Sequence, residues 1–264
     1  MNNNNYDKLL KLYNDENQLN NYRLILATLL FNERYNEDLS QRIKDSEIEY
    51  FNNNLGTFNG CCKYSLEGNK FTEDSILVNI YNRNLFDIQA TLIHELRHHL
   101  VKHTEKLENN NLIAQRGLQT IKVNLLKMTS IREGIGLEEI YNTYITGKMV
   151  NNIKKYKNQN NTPFDNYVNS LGEGPYIAYK ELMEICMPLL KIEKFTDFVD
   201  FETYKGNIDK IENKFNDYFK QIMTYNQLKK YVDYLLYNIK NPYGLDDFKS
   251  SLNEINKIYT KTIL

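Results

Sequence analysis

The sequence predicts an α+β protein that is mostly α-helical, with a small β-sheet in its first half and an all-helical second half. Two observations carry this prediction. Apolar residues recur every three or four positions through most of the chain, which is the period of an amphipathic helix. Between Gly56 and Tyr81 the pattern changes, and short runs rich in β-branched and aromatic residues predict strands.

The N-terminal segment has the periodicity of helices. It is present at about Tyr6–Tyr13 and at about Leu19–Asn32, and more weakly from Glu37 to Phe51. Asn52-Asn53-Asn54 and Gly56 then end the helical pattern, because these residues favour turns.

The strands are expected at Gly56–Tyr64 and Ser75–Tyr81, with Glu67-Gly68-Asn69 as the turn between them. This pattern predicts a small antiparallel sheet. The chain then enters the next helix through Asn82-Arg83-Asn84.

The segment from Leu85 to Val101 predicts one helix that is buried on two sides. Its histidines His94 and His98 are four residues apart, so both imidazoles lie on one helical face. That face is roughly opposite an apolar stripe. The stripe consists of Leu85, Ile88, Leu92, Leu96 and Leu100.

The spacing of this histidine pair is typical of zinc. Two neutral imidazoles one turn apart supply two ligands, and Glu95 is offset enough to reach a metal-bound water rather than the metal. H-E-x-x-H therefore predicts a metal that acidifies a water and a glutamate that removes its proton. The alternative is a chance match on a polar turn. Against it, the chain has only 4 histidines, and all of them fall at 94–103, within the predicted helix.

After this helix the sequence predicts two more helices. Glu105–Asn111 is polar, and Leu112–Met128 has helical periodicity. Arg132–Gly136 is expected to be a loop, followed by a helix at Leu137–Thr146 that ends near Gly147.

A polar, Asn-rich stretch at Lys154–Pro163 predicts a domain boundary. Residues 1–155 would form the subdomain that carries the histidine helix, and residues 156–264 a helical C-terminal subdomain, with the site in the cleft between them. Helices are expected near Tyr176–Leu190, Ile208–Tyr225, Gln227–Ile239 and Leu245–Ile263.

Net charge, hydropathy and cysteine content exclude several classes of function and location. The net charge is -1, with acidic and basic residues interspersed, which argues against nucleic-acid and membrane partners. The start lacks the pattern of a secretory leader and no segment has the roughly 20 apolar residues of a membrane span, so a soluble cytoplasmic protein is expected. Three cysteines without a C-x-x-C spacing fit a reducing compartment and a packing role.

A catalytic zinc normally takes a third protein ligand, which is His, Asp or Glu. The H-E-x-x-H-x-x-G-x-x-H pattern fails because Val101 and Thr104 occupy the glycine and final histidine positions. No histidine occurs later, so a carboxylate is predicted. Glu138 and Glu139 open the next helix, where neighbours point about 100° apart and only one can face the metal. Glu133 is a further candidate, and acidic residues in a first helical turn can also simply favour the helix dipole.

The segment Gly136–Thr146 resembles the part of thermolysin-like gluzincin metallopeptidases in which a glutamate on a second helix completes an H-E-x-x-H site. The resemblance covers about Ile76–Met149 and selects Glu139 as the third ligand. It implies a zincin-type active-site helix, a Zn²⁺ cofactor and a hydrolase that cuts a peptide or protein substrate. In that role Glu95 is the general base.

The same resemblance identifies further positions. Ser75–Tyr81 resembles the edge strand above the zinc, where an extended substrate adds by main-chain hydrogen bonds; an ordinary core strand is the alternative. Thr143 stands where the family has an acidic partner for a zinc histidine. The downstream oxyanion-stabilising histidine is absent, and Tyr176 is the candidate to replace it. His99 and His103 are expected to lie away from the metal.

Two other functions fit the sequence. One is a peptidase-derived regulatory or toxin-like protein that cuts or binds one specific partner. The other is a helical binding protein without metal, in which the motif is coincidental. The sequence specifies neither the substrate nor the oligomeric state.

Overall fold

The computed structural model describes residues 18–52, 59–68, 70–153 and 180–263. Within these residues the chain combines helices with two small sheets, so the mixed α+β class expected from the sequence is confirmed. The helices are α1 (Gln18–Tyr35), α2 (Ser40–Lys44), α3 (Leu85–Leu100), α4 (Ile135–Asn151), α5 (Lys180–Leu190), α6 (Glu193–Lys205), α7 (Ile208–Phe219), α8 (Tyr225–Asn238) and α9 (Leu245–Ile263). The strands are β1 (Ile48–Phe51), β2 (Gly60–Glu67), β3 (Lys70–Asn79), β4 (His103–Glu108), β5 (Asn111–Arg116), β6 (Gln119–Asn124) and β7 (Thr129–Glu133).

The described residues form two compact units. Among these residues, the first unit contains 18–52, 59–65, 72–100 and 145–153, and the second contains 66–68, 70–71, 101–144 and 180–263. The domain boundary expected near residue 155 lies outside the described residues. Of the helices in the described part of the chain, none has both the length and the apolarity needed to cross a bilayer.

In the first unit, helix α3 is held at both ends. Asn84 accepts the backbone N–H of Asp87 on its side-chain oxygen at 2.8 Å, which is the geometry of an N-cap. The Arg83 guanidinium donates to the Asp87 carbonyl at 3.1 Å. At the other end, Arg42 donates to the Leu100 carbonyl at 2.9 Å, which satisfies a carbonyl that no later residue of the helix can reach. The helix therefore begins where Asn82-Arg83-Asn84 predicted.

Helix α1 confirms the predicted helix at Leu19–Asn32 and packs with α3 in the same unit. Gln89 of α3 is fully buried and donates to the Arg23 carbonyl of α1 at 3.1 Å. Buried apolar side chains of α1 complete its contribution to the core. They are Ile25, Leu26, Leu29, Leu30 and Phe31.

The sheet of the first unit has the order β1-β3-β2. Strand β3 is therefore central, so Ser75–Tyr81 lies in the core strand given as the alternative and not in an edge strand. β1 pairs with β3 in parallel, with Ile48 opposite Ile76, so the sheet is not purely antiparallel as expected. The weak helix predicted from Glu37 to Phe51 was also wrong. Only α2 is helical there, and the apolar and aromatic residues that follow it form β1.

The second unit contains a four-stranded antiparallel sheet, β4-β5-β6-β7, which corrects the helix predicted at Leu112–Met128. Two turns explain the difference. Asn109 and Asn110 both have positive φ, 47° and 61°, and join β4 to β5 as a two-residue hairpin. Gly117, with φ 56°, reverses the chain between β5 and β6. The inward residues alternate in steps of two: Leu112, Ala114, Ile121 and Val123.

The helices α5–α9 and the first part of α4 enclose the main core of the second unit. Leu137, Ile140 and Tyr141 of α4 are buried in it. Four aromatic rings meet at its centre, with centroids 5.0 to 6.3 Å apart along their shortest contacts. These are Phe195, Phe215, Phe219 and Tyr259.

Several predicted helix boundaries were wrong in the C-terminal region. Helix α4 continues through the buried Gly147 to Asn151. The helix predicted at Ile208–Tyr225 ends earlier, at Phe219. The helix predicted at Gln227–Ile239 begins at Tyr225, because Thr224 forms a capping box with Gln227. Helix α6 was not predicted. The described residues do not include the helix expected at Tyr6–Tyr13. They also do not include residues 176–179 of the helix expected at Tyr176–Leu190.

Candidate metal centre

Helix α3 brings His94 and His98 to one face. The two Nε2 atoms are 3.2 Å apart, and the ring centroids are 4.9 Å apart with the planes at 77°. His94 is buried and His98 half-buried. Ligand nitrogens at about 2.0–2.1 Å from a tetrahedral zinc lie about 3.3 Å from each other, so these imidazoles already have the separation that one ion requires.

Glu139 of α4 is the third member of the group. His94, His98 and Glu139 each offer one ligand atom, and these atoms all lie within 4.8 Å of one another. Two imidazoles and one carboxylate are a donor set that zinc takes in catalytic sites. The donor set therefore fits a divalent transition metal, and the histidine pair also has the spacing that one ion requires.

Glu138, the adjacent candidate, has a different environment. Its carboxylate is buried and accepts the backbone N–H of Leu118 at 2.7 Å. The turn at Gly117 is packed against the same carboxylate. Glu138 also adds to the raised pKa of the Tyr225 hydroxyl, of which burial is the larger cause. Glu138 thus joins α4 to the β5–β6 turn within the second unit.

Glu133 is exposed at the end of β7 and is not in the metal group found among the described residues. His99 is half-buried on α3 and outside that group as well. His103 is the first residue of β4, opposite Arg116, so the expectation that all four histidines share one helix was wrong.

No family model, curated protein or solved structure matches the chain. The chemistry of the site is therefore argued from its own residues.

Glu95 is buried on α3, and the backbone of β2 passes close to its side chain at Gly60. A Cβ at Gly60 of β2 would lie 2.6 Å from Thr91 Cγ2 and 2.9 Å from Glu95 Oε1. Only a glycine lets β2 approach the helix this closely. The thiol of Cys62, two residues along, donates to the Glu95 carbonyl at 3.1 Å. Sequence reasoning missed this contact, although a glycine inside a strand pattern is the available signal.

The charge of the Glu95 carboxylate also affects the pKa of Cys61. Burial raises the pKa of its thiol above 9.0, the negative charge of Glu95 raises it further, and Lys63 lowers it in part. Within the described sheet, β2 is the strand at the edge next to β3. The residues of β2 that contact the helix are thus Gly60 and Cys62.

Thr143 lies four residues after Glu139, on the same face of α4. Its side chain is fully buried, and its hydroxyl has no hydrogen-bond partner among the described residues. Tyr176, the residue predicted to stabilise the oxyanion, lies outside the described residues.

Proposed function

We propose that this protein is a zinc-dependent peptidase of the gluzincin type. The observation that carries the proposal is the group of His94, His98 and Glu139, whose ligand atoms lie within 4.8 Å of one another. The 3.2 Å separation of the two imidazole nitrogens supports zinc, because no large movement of α3 is needed to bind it.

In this proposal His94, His98 and Glu139 hold the ion. A bound zinc would supply an acidified water and polarise a scissile carbonyl. Glu95 would accept a proton from the attacking water and pass it to the leaving amine. Its place on α3, one residue after a ligand, supports this role, as does its partial shielding from solvent by β2.

The substrate in this proposal is a peptide or protein segment in an extended conformation. β2 is the outer strand next to β3 in the described sheet, and at Gly60 its backbone lies against Thr91 and Glu95. An extended peptide adds to such an edge through main-chain hydrogen bonds. We therefore propose β2 as the strand that contacts the substrate, because β3, the strand proposed from the sequence, is central in the sheet.

The first experiment is the zinc content of the purified protein. We expect about one zinc per chain in the parent and a sharp loss in H94A and E139Q, because each variant removes one of three ligands. E133Q is the matched control, since Glu133 is an exposed carboxylate near the same helix. Absence of zinc after reconstitution of the parent would overturn the proposal.

The second experiment is cleavage of a peptide pool by the zinc-loaded protein, read by mass spectrometry. New termini that appear with the parent but not with E95Q support a peptidase. Full zinc content without any cleavage would instead favour the alternative of a protein that acts on one specific partner, and would remove general peptidase activity from the proposal.

A further inference from the structure

Helix α8 lines a cavity far along the sequence from the histidine helix. Four of its residues follow the spacing i, i+3, i+4, i+7, so their side chains share one face. The cavity has a volume of about 660 Å³, which is within the range of small-molecule sites. Its lining is mostly apolar and aromatic. The α8 residues are Gln227, Lys230, Tyr231 and Tyr234, and the others are Ile222, Met223 and Tyr243.

The aromatic wall of this cavity is fixed by contacts within the protein. The ring of Tyr231 stacks on Phe248 with centroids 4.2 Å apart and planes at 17°. The Tyr231 hydroxyl donates to the Tyr243 carbonyl at 2.6 Å, and the Tyr243 N–H donates to the Tyr234 hydroxyl oxygen at 3.4 Å. Tyr231 and Tyr234 therefore need little reorganisation to receive a ligand, which favours binding. The contacts of Tyr243 hold its backbone, and its ring is exposed.

The polar groups that remain for a ligand are mainly donors. Gln227 uses its amide oxygen in the capping box, accepting from the Thr224 N–H at 2.8 Å and from the Thr224 hydroxyl at 3.0 Å, so its NH₂ group is left. Lys230 is exposed and has no acidic partner among the described residues. The hydroxyl proton of Tyr234 is a third donor. No aspartate or glutamate is among the lining residues.

We propose that this cavity binds an amphipathic carboxylate, meaning an aryl or alkyl body that ends in one carboxyl group. The body would lie on the rings of Tyr231, Tyr234 and Tyr243, and the carboxylate would accept hydrogen bonds from Lys230 and Gln227. An organic cation is disfavoured because the lysine charge would repel it. The site uses none of the proposed zinc ligands, so it stands whether or not the chain is a peptidase.

The test is an NMR titration of the full-length protein, with ¹³C-labelled methionine methyls, against 4-phenylbutyrate. We expect the Met223 methyl signal to shift with a Kd of about 1 mM, the affinity typical of a probe of this size. The neutral 4-phenylbutyramide should bind about fivefold more weakly, because it cannot form the ion pair with Lys230.

Two lysine variants separate the proposed contact from a general effect of charge. K230Q should weaken 4-phenylbutyrate binding by about fivefold, whereas K229Q should leave it unchanged. Lys229 is the matched control because its ammonium lies over the Tyr225 ring, 5.4 Å from the centroid, outside the cavity lining. Circular dichroism confirms that both variants fold. No shift at Met223, equal binding of acid and amide, or equal binding by K230Q and the parent would overturn the proposal.

Discussion

Glu95 has neighbours that limit what its carboxylate can do. The backbone of Gly60 lies against this carboxylate. The backbone carbonyl of Glu95 accepts a hydrogen bond from the Cys62 thiol. The backbone of β2 therefore restricts the movement of this side chain on one side. Such confinement is what a proton-transfer residue requires, because the base must remain within hydrogen-bond reach of its water.

At this residue we predict that E95Q keeps its zinc and loses peptide cleavage by about 10²–10⁴-fold, which is the range supplied by a general base. The amide preserves the shape of the side chain but cannot accept the proton. Zinc content and initial rates on one cleaved peptide measure the two effects. Loss of zinc in E95Q would show that Glu95 supports the metal instead.

Cys186 provides a second residue-scale prediction. Burial raises the pKa of its thiol from 9.0 to about 12. In native protein at pH 9 we expect iodoacetamide to modify the half-buried Cys61 and Cys62 and to leave Cys186 unmodified, because thiolate is the reactive form. Peptide mapping after alkylation checks this. All three thiols should react in urea, and rapid native modification of Cys186 would contradict its burial.

The same shift gives a pH dependence with a definite sign. The folded protein retains the Cys186 proton up to about pH 12, whereas the unfolded chain loses it near pH 9.0. Between these values the unfolded state binds fewer protons, so the free energy of unfolding falls as pH rises. C186A should remove this part of the alkaline slope, and denaturant curves at pH 8 to 10 would measure it.

The candidate ligands differ in how far the sequence could specify them. His94 and His98 follow from helical spacing alone, since one element carries both. Glu138 and Glu139 are equivalent by that criterion. What separates them is the Leu118 N–H, which occupies Glu138, and Leu118 had been assigned to a helix. A residue's role that depends on a second element cannot be predicted when that element is misassigned.

At the scale of the element, the β4–β7 sheet shows why periodicity alone was insufficient. Leu118, Ile121 and Leu125 follow helical spacing, but two of them flank turns rather than facing one side of a helix. The decisive residues are Asn109, Asn110 and Gly117, which adopt positive φ and reverse the chain. Asn and Gly adopt positive φ readily, so these residues indicate the two turns of the sheet, which the apolar pattern does not.

The start of α4 depends on a carboxylate from another helix. Asp233 of α8 accepts the backbone N–H of Gly134 at 2.6 Å and that of Gly136 at 2.8 Å. These are donors that the helix itself cannot satisfy. The negative charge also lies at the positive end of the helix dipole. Asp233 of α8 therefore holds the start of α4, the helix that carries Glu139.

We predict that D233N lowers the free energy of unfolding by about 1–2 kcal/mol, because an amide accepts these two N–H groups less strongly than a carboxylate. Urea denaturation measures the change. D217N is the matched control on an exposed face of α7 and should be within about 0.5 kcal/mol of the parent. Equal stability of the two variants would contradict the capping role of Asp233.

At the scale of the whole molecule, the sequence predicted the mixed α+β class and the helices with strong periodicity. α3 and α9 lie close to where they were expected. It did not predict the boundaries that depend on packing. Gly147 was expected to end α4, yet the helix continues through it. The neighbouring Ile145, Met149 and Val150 are buried, and the free energy gained from packing them exceeds the cost of one glycine in a helix. The sequence also did not predict the order of the strands in the first sheet.

Metal binding should stabilise the folded protein as a whole. At free zinc 100 times above Kd, the expected gain is about 2.7 kcal/mol in the free energy of unfolding. We therefore predict that EDTA lowers the Tm of the parent and leaves the Tm of H94A unchanged. Differential scanning calorimetry of both proteins checks this. An EDTA effect of equal size in H94A would mean that chelation acts elsewhere.

The contact between Gly117 and Glu138 also has an evolutionary consequence. The carboxylate occupies the space that a side chain at position 117 would need, while its oxygen holds the next backbone N–H. Neither position can change alone without loss: a larger residue at 117 displaces the glutamate, and a shorter residue at 138 leaves a gap and an unsatisfied amide. Across relatives of this chain, the two positions should covary, with asparagine at 117 accompanying a shorter polar residue at 138.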